Sequence, residues 1–133
     1  MKLSQLLTAN ALIFIGLGIA FALYGPLMIA LFGILETEGS PAIYWYAASF
    51  ARLLGAALFG FGFVLLALRG QAASPSGQRG LILALVISYA LGLIVAITQQ
   101  VSIWGTLAGW ITTLLFVALL ASYGYFLVRR ADE

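Results

Sequence analysis

The residue with the most chemical leverage in this chain is Arg52, a permanent cation followed by Leu53, Leu54, Gly55, Ala56, Ala57 and Leu58. Its guanidinium presents five donors in a planar fork that matches a carboxylate or a phosphate. An arginine at mid-membrane costs about 2.5–3.5 kcal/mol on insertion scales, and less nearer the surface. Three roles are therefore open to Arg52. It can reach toward the headgroups, pair with Glu36 or Glu38, or bind an anionic lipid headgroup, a quinone carbonyl or a substrate. Glu36 and Glu38 read as a solvated loop end, with a proton or cation site facing Arg52 as the alternative. Gln99 and Gln100, near Thr98, Ser102 and Trp104, either satisfy a tight turn or supply hydrogen bonds to a ligand. Thr112 and Thr113 are expected to bond back to carbonyls of their own helix, and Asn10 to bond across helices.

No catalytic constellation accompanies them. The other two acids are Asp132 and Glu133, so no apolar stretch contains a carboxylate pair. A coupled transporter needs an acid deep in the membrane, and none of the apolar segments has one. Cysteine and histidine are both absent, which removes thiolate chemistry, disulfides, the usual haem ligand and the commonest zinc ligand. Gly16-x-Gly18 and Gly60-x-Gly62 sit in apolar runs, where glycine means packing rather than phosphate binding. The expectation is a non-enzyme with no cofactor and no metal site.

The elements that carry these residues are set by composition. Of the 133 residues, 64% are hydrophobic and 8% charged, and the mean hydropathy is +1.14. Soluble domains hold about 25% charged residues, so so little charge implies a surface dissolved largely in lipid. The pI near 9.2 reflects a net charge of only +2, and no basic cluster exceeds Arg129-Arg130; nucleic acid is not an expected partner. Four apolar segments, at about residues 6–35, 44–68, 81–101 and 107–128, each reach the roughly 20 residues needed to cross a bilayer as a helix. Backbone groups cannot stay unpaired in lipid, and the alternation of barrel strands is missing, so the expected fold is all-α: one transmembrane domain over residues 1–133, a bundle of four helices. The first segment is too long for a signal peptide and reads as an uncleaved span. It would measure about 45 Å as one helix, with Gly25-Pro26 as its kink. Residues 36–41 and 69–80 read as turn and linker, and the last two helices as tightly joined antiparallel neighbours.

Charge predicts the orientation. Lys2, Arg69, Arg79, Arg129 and Arg130 fall on one side of a four-span layout, while Glu36 and Glu38 lie on the other. The positive-inside rule then puts both termini in the cytoplasm of a multi-pass protein, expected in a bacterial cytoplasmic membrane. Tyr44, Trp45, Tyr46, Trp104 and Trp110 would form an outer aromatic belt, with Tyr123 and Tyr125 near the inner face.

Helices in lipid associate through small residues that admit close approach. The third segment has Ala84, Ser88, Gly92 and Ala96 at four-residue spacing. The second has Ala47, Ala51 and Gly55 beside Ala48, Arg52, Ala56 and Gly60, the fourth begins Gly105-xxx-Gly109, and the first carries Gly18, Ala22, Pro26 and Ala30. These stripes are expected to pack the bundle or to meet another membrane protein.

The run Ala51-Arg52-Leu53-Leu54-Gly55-Ala56-Ala57-Leu58-Phe59-Gly60, an arginine followed by glycines, together with the four-span layout, resembles the small bacterial four-helix membrane proteins of the DoxX-like group. The likeness extends over the whole chain as architecture, and it implies a component of a larger membrane assembly. The expected function is that of a non-catalytic accessory or scaffold subunit packing against a larger membrane complex, for instance an energy-converting one, with the lipid bilayer and other integral membrane proteins as partners. The alternative is a lipid- or quinone-binding protein or small transporter using a cavity around Arg52, Glu36 and Gln99. A homo-oligomeric channel is disfavoured by the apolar inner halves of the segments.

Overall fold

A computed structural model describes residues 2–71 and 75–129. Ser74, Arg130, Asp132 and Glu133, which entered the linker and charge arguments, lie outside the described residues. Every regular element in the described residues is helical. The helices are α1 (Leu3–Leu23), α2 (Gly25–Leu31), α3 (Pro41–Gln71), α4 (Pro75–Gln99), a π-helical turn (Gln100–Trp104) that continues α4, and α5 (Leu107–Arg129). Four stretches are long and apolar enough to cross a membrane: Leu3–Leu23, Pro41–Gly70, Gly77–Trp104 and Leu107–Arg129.

The expected first helix, residues 6–35, is instead two helices. It breaks at Tyr24, whose φ of −118° and ψ of 38° leave the helical region. Pro26 has no N–H to give the Ala22 carbonyl, which is why the break falls where a kink was expected. The C-terminal end comes four residues early. Gly33 adopts φ +86°, its N–H donates to the Ala30 carbonyl at 3.0 Å, and Ile34 N–H donates to Ile29 at 3.1 Å. That pair of bonds is a Schellman stop, which closes the helix although Ile34 and Leu35 are apolar.

The expected linker, residues 69–80, is mostly helix. α3 runs on to Gln71, and α4 starts at Pro75. Proline at the first helical position costs nothing, because that residue's N–H would have had no intrahelical partner. Pro41 opens α3 by the same means, with Tyr44 N–H donating to the Ser40 carbonyl at 3.2 Å.

The helices fall into two compact units, one comprising Leu7–Ala67 and the other the remainder of the chain. In the first, α1 and α3 meet backbone to backbone. A Cβ on Gly18 would lie 2.5–2.7 Å from Phe59 backbone atoms and Cβ, and one on Gly62 would lie 2.8 Å from the Ala11 carbonyl. One on Gly55 would strike the backbone of Ala22 and Phe21 and the Gly18 carbonyl. Partners on α1 rise in number as those on α3 fall, so the two helices run antiparallel. Beyond this crossing, Ile29 of α2 packs with Tyr44, Ala48 and Ala51 of α3, with Phe21 alongside.

The packed face of α3 follows Tyr44, Ala48, Ala51, Gly55, Leu58, Gly62 and Leu65, alternating steps of four and three. Of the two stripes expected there, Ala47–Ala51–Gly55 joins this face. In the other, Ala48 is buried, but Ala56 and Gly60 are exposed, and a Cβ on Gly60 meets nothing within 4 Å. Residues spaced strictly by four drift about 40° around the helix at each step, whereas a 3–4 alternation stays on one face.

The second unit repeats the lesson. On α4 the buried line is Ile82, Leu85, Tyr89 and Ala96, with Gly92 half-buried between the last two, while Ala84 and Ser88 of the expected stripe are exposed. Gly92 receives the Phe116 ring of α5, and Tyr89 stacks on Tyr123 at 5.6 Å between centroids with 30° between planes. Tyr123, expected as an interface anchor, is instead fully buried. Tyr44 also leaves the expected belt for the interior, whereas Trp45, Tyr46, Trp110 and Tyr125 are exposed.

Gly55→Leu and Gly18→Leu are expected to destabilise the helical structure by about 1–3 kcal/mol or more, because the backbone opposite cannot yield. Loss of helical circular dichroism during titration with a denaturing detergent measures this. Gly60→Leu should stay within about 0.5 kcal/mol of the parent.

Candidate functional site

Arg52 sits on α3 one turn after Ala48, beside the break between α1 and α2. A Cβ built on Gly25 would lie 3.0 Å from Arg52 Cγ, 3.5 Å from its Nε and 3.2 Å from the Ala48 carbonyl oxygen. Gly25 is therefore the residue that lets the arginine stem lie flat against the interrupted helix. Arg52 itself is exposed, as are its neighbours Phe50 and Leu53 on the same helix.

The expected pairing partners are elsewhere. Glu36 and Glu38 lie in the turn after α2, both exposed, with Glu38 N–H donating to the Leu35 carbonyl at 3.1 Å. Among the described residues, Arg52 forms no ion pair with either. Gly39, at φ +97°, turns the chain in the same loop. The loop thus closes on its own backbone rather than on the guanidinium.

Gln99 and Gln100 belong to the other unit, and the structure gives them different fates. Gln99 is half-buried, whereas Gln100 is 3% exposed. Gln100 Nε2 donates to the Thr106 main-chain carbonyl at 3.0 Å, and the Gln100 main-chain carbonyl accepts from Gly105 N–H at 3.1 Å. The second bond spans five residues and closes the π-helical turn. Thr106 Oγ1 in turn accepts from Gly109 N–H at 3.2 Å, capping the start of α5. Of the polar residues expected there, Gln100 thus serves the turn, whereas Thr98 Oγ1 donates to the Ile94 and Val95 carbonyls of its own helix, both at 2.9 Å.

Gln100 Oε1 is buried without a hydrogen-bond donor and faces Gly109, where an added Cβ would collide with it. Gly105-xxx-Gly109 is consequently no helix-crossing motif. Gly105 stands between helices at φ +58°, and Gly109 makes room for the Gln100 amide and the Trp104 ring. What could have revealed this is that Gly105 falls between the expected segments 81–101 and 107–128, since a left-handed glycine commonly ends a helix.

Several other polar side chains bond locally. Thr112 Oγ1 donates to the Ala108 carbonyl and Thr113 Oγ1 to Gly109, both at 2.9 Å, as expected. Ser88 donates to Ala84 at 2.8 Å, and Arg129 to the Tyr125 hydroxyl at 3.4 Å. Asn10 is fully buried in α1. No group of three or more Asp, Glu, His or Cys residues able to hold a metal ion occurs among the described residues.

Gly109→Ala is expected to cost about 1–3 kcal/mol by displacing the Gln100 amide. Adding Gln100→Ala should relieve part of that cost, so the double variant should be more stable than the two single effects summed. Thermal melts of the four proteins in one detergent provide the comparison.

No family model matches the chain, and neither a curated protein nor a solved structure resembles it significantly. The likeness of residues 51–60 to the DoxX-like group therefore rests on those residues and on the four-span layout alone.

Proposed function

We propose that this chain is a non-catalytic accessory or scaffold subunit that packs against a larger complex of integral membrane proteins. The observation that carries this reading is the small-residue face that internal packing leaves unused. Gly18, Gly55 and Gly62 are consumed by the α1–α3 crossing, and Gly92 and Gly109 by the contacts of α4 and α5. Ala56 and Gly60 lie one turn apart on α3, exposed, with open space beyond Gly60. A small-xxx-small pair facing outward from a spanning helix admits the close approach of another such helix, which is how helices associate in lipid. The short loops add to the argument, since they leave little mass outside the bilayer to act on anything soluble.

In this reading the protein lies in a bacterial cytoplasmic membrane with both termini in the cytoplasm. Lys2, Arg69, Arg79 and Arg129 would then face the cytoplasm, and Glu36 and Glu38 the opposite side.

Two experiments bear on it. Extraction of native membranes in mild detergent is expected to recover the chain with larger subunits at fixed stoichiometry, and Gly60→Leu to release it while leaving its helical content unchanged. Recovery of the parent only as a free monomer refutes the proposal. The chain has no native cysteine, so Ser40→Cys and Gln78→Cys can each be labelled from one side of the membrane. They are expected to react from opposite sides, and labelling from the same side overturns the orientation.

A further inference from the structure

We propose that Arg52, laid against the helix break at Gly25, binds the phosphate of a membrane lipid. The inference goes beyond the accessory role, since it concerns a ligand of Arg52 rather than the docking of a helix on Ala56 and Gly60 one and two turns further along α3.

The first ground is an unbalanced charge. Arg52 is the sole formally charged residue of α3 before Arg69. Among the described residues it has no acidic partner. A cation in a spanning helix needs an anion or water to offset its desolvation, and neither Glu36 nor Glu38 supplies the anion.

The second ground is geometry. Arg52 lies seven residues from Trp45, about 10 Å along the helix axis. Side chains on a helix lean toward its N-terminus, here the Trp45 end. The Gly25 position touches both Arg52 Cγ and the Ala48 carbonyl, one turn nearer Trp45, so the stem follows that lean. Trp45 and Tyr46 are exposed at this end, and Tyr24, the residue before Gly25, is 60% exposed. Amphipathic aromatics of this kind sit at headgroup level, where lipid phosphates are. The arginine is thus aimed at the phosphate layer from below, with its stem held in place by a glycine that any larger residue would crowd.

The third ground is what flanks the site. Phe50 is 72% exposed and Leu53 65% exposed, a surface suited to acyl chains. A carboxylate on a partner helix could also answer the guanidinium, but it would bring a second charge to be desolvated. A lipid phosphate already resides at that depth, carries the charge, and accepts the guanidinium fork with two oxygens.

The test uses the purified full-length chain, mixed in mild detergent with phosphatidylglycerol and with diacylglycerol, which lacks the phosphate, and examined by native mass spectrometry. The parent is expected to retain phosphatidylglycerol over diacylglycerol. Arg52→Leu should lower that retention about tenfold, as expected for loss of a charge-assisted pair. It removes a charge from a spanning helix, so it should insert at least as well as the parent, and circular dichroism verifies its helicity. Arg52→Lys should retain an intermediate amount, having the charge without the fork. Gly25→Ala should weaken retention with Arg52 still present, by pushing the stem off the helix. Unchanged phosphatidylglycerol retention in both Arg52→Leu and Gly25→Ala overturns the proposal. So does displacement of the lipid by millimolar inorganic phosphate, which would make the site one for a free anion. Loss of a co-purifying membrane protein from Arg52→Leu, with lipid retention intact, would assign the guanidinium to a partner carboxylate instead.

Discussion

Contact between the backbones of α1 and α3 is the constraint from which the Leu7–Ala67 unit follows. In a bilayer there is no water to drive apolar side chains together, so helices hold to one another by surface fit. Gly18, Gly55 and Gly62 remove the side chains that would keep the two backbones apart, and the space where their Cβ atoms would be is filled by the opposite helix. Once that crossing is set, the rest of the α3 face is determined. Ala48 and Ala51 reach Ile29, and Arg52 is brought level with Gly25.

The same crossing gives meaning to the break at Tyr24. Gly25 follows that break, and with no side chain there its backbone lies against the Arg52 stem. The charge is therefore displayed on the outside of the unit rather than drawn into it. In that placement Arg52 is exposed and forms no ion pair with Glu36 or Glu38 of the following turn.

In the other unit, polar groups serve the turn. Between α4 and α5 the chain reverses within a few residues, and each helix end has carbonyls or N–H groups without intrahelical partners. The π-helical turn, the Gln100 side chain and the Thr106 hydroxyl answer several of them. Aromatic packing of Tyr89, Phe116 and Tyr123 then takes the role that glycine backbone contact plays between α1 and α3.

Four apolar helices, their approximate limits, the break near Gly25-Pro26 and the local bonding of Thr112 and Thr113 were all legible in the sequence. Each depends on forces acting within a turn or two of helix: transfer of apolar residues into lipid, a missing proline N–H, a hydroxyl returning to its own backbone. The Schellman stop at Gly33 and the proline starts at residues 41 and 75 were equally local, and the apolar residues and linker-like composition around them concealed them. Which face of each helix is packed was a different kind of question. Gly60 and Gly62 are two residues apart in the same run, and so are Gly16 and Gly18, yet in each pair only one touches a neighbour. That choice depends on how two helices cross, a relation between distant parts of the chain, and so it was the tertiary structure that separated packing glycine from open surface and put Arg52 beside Gly25.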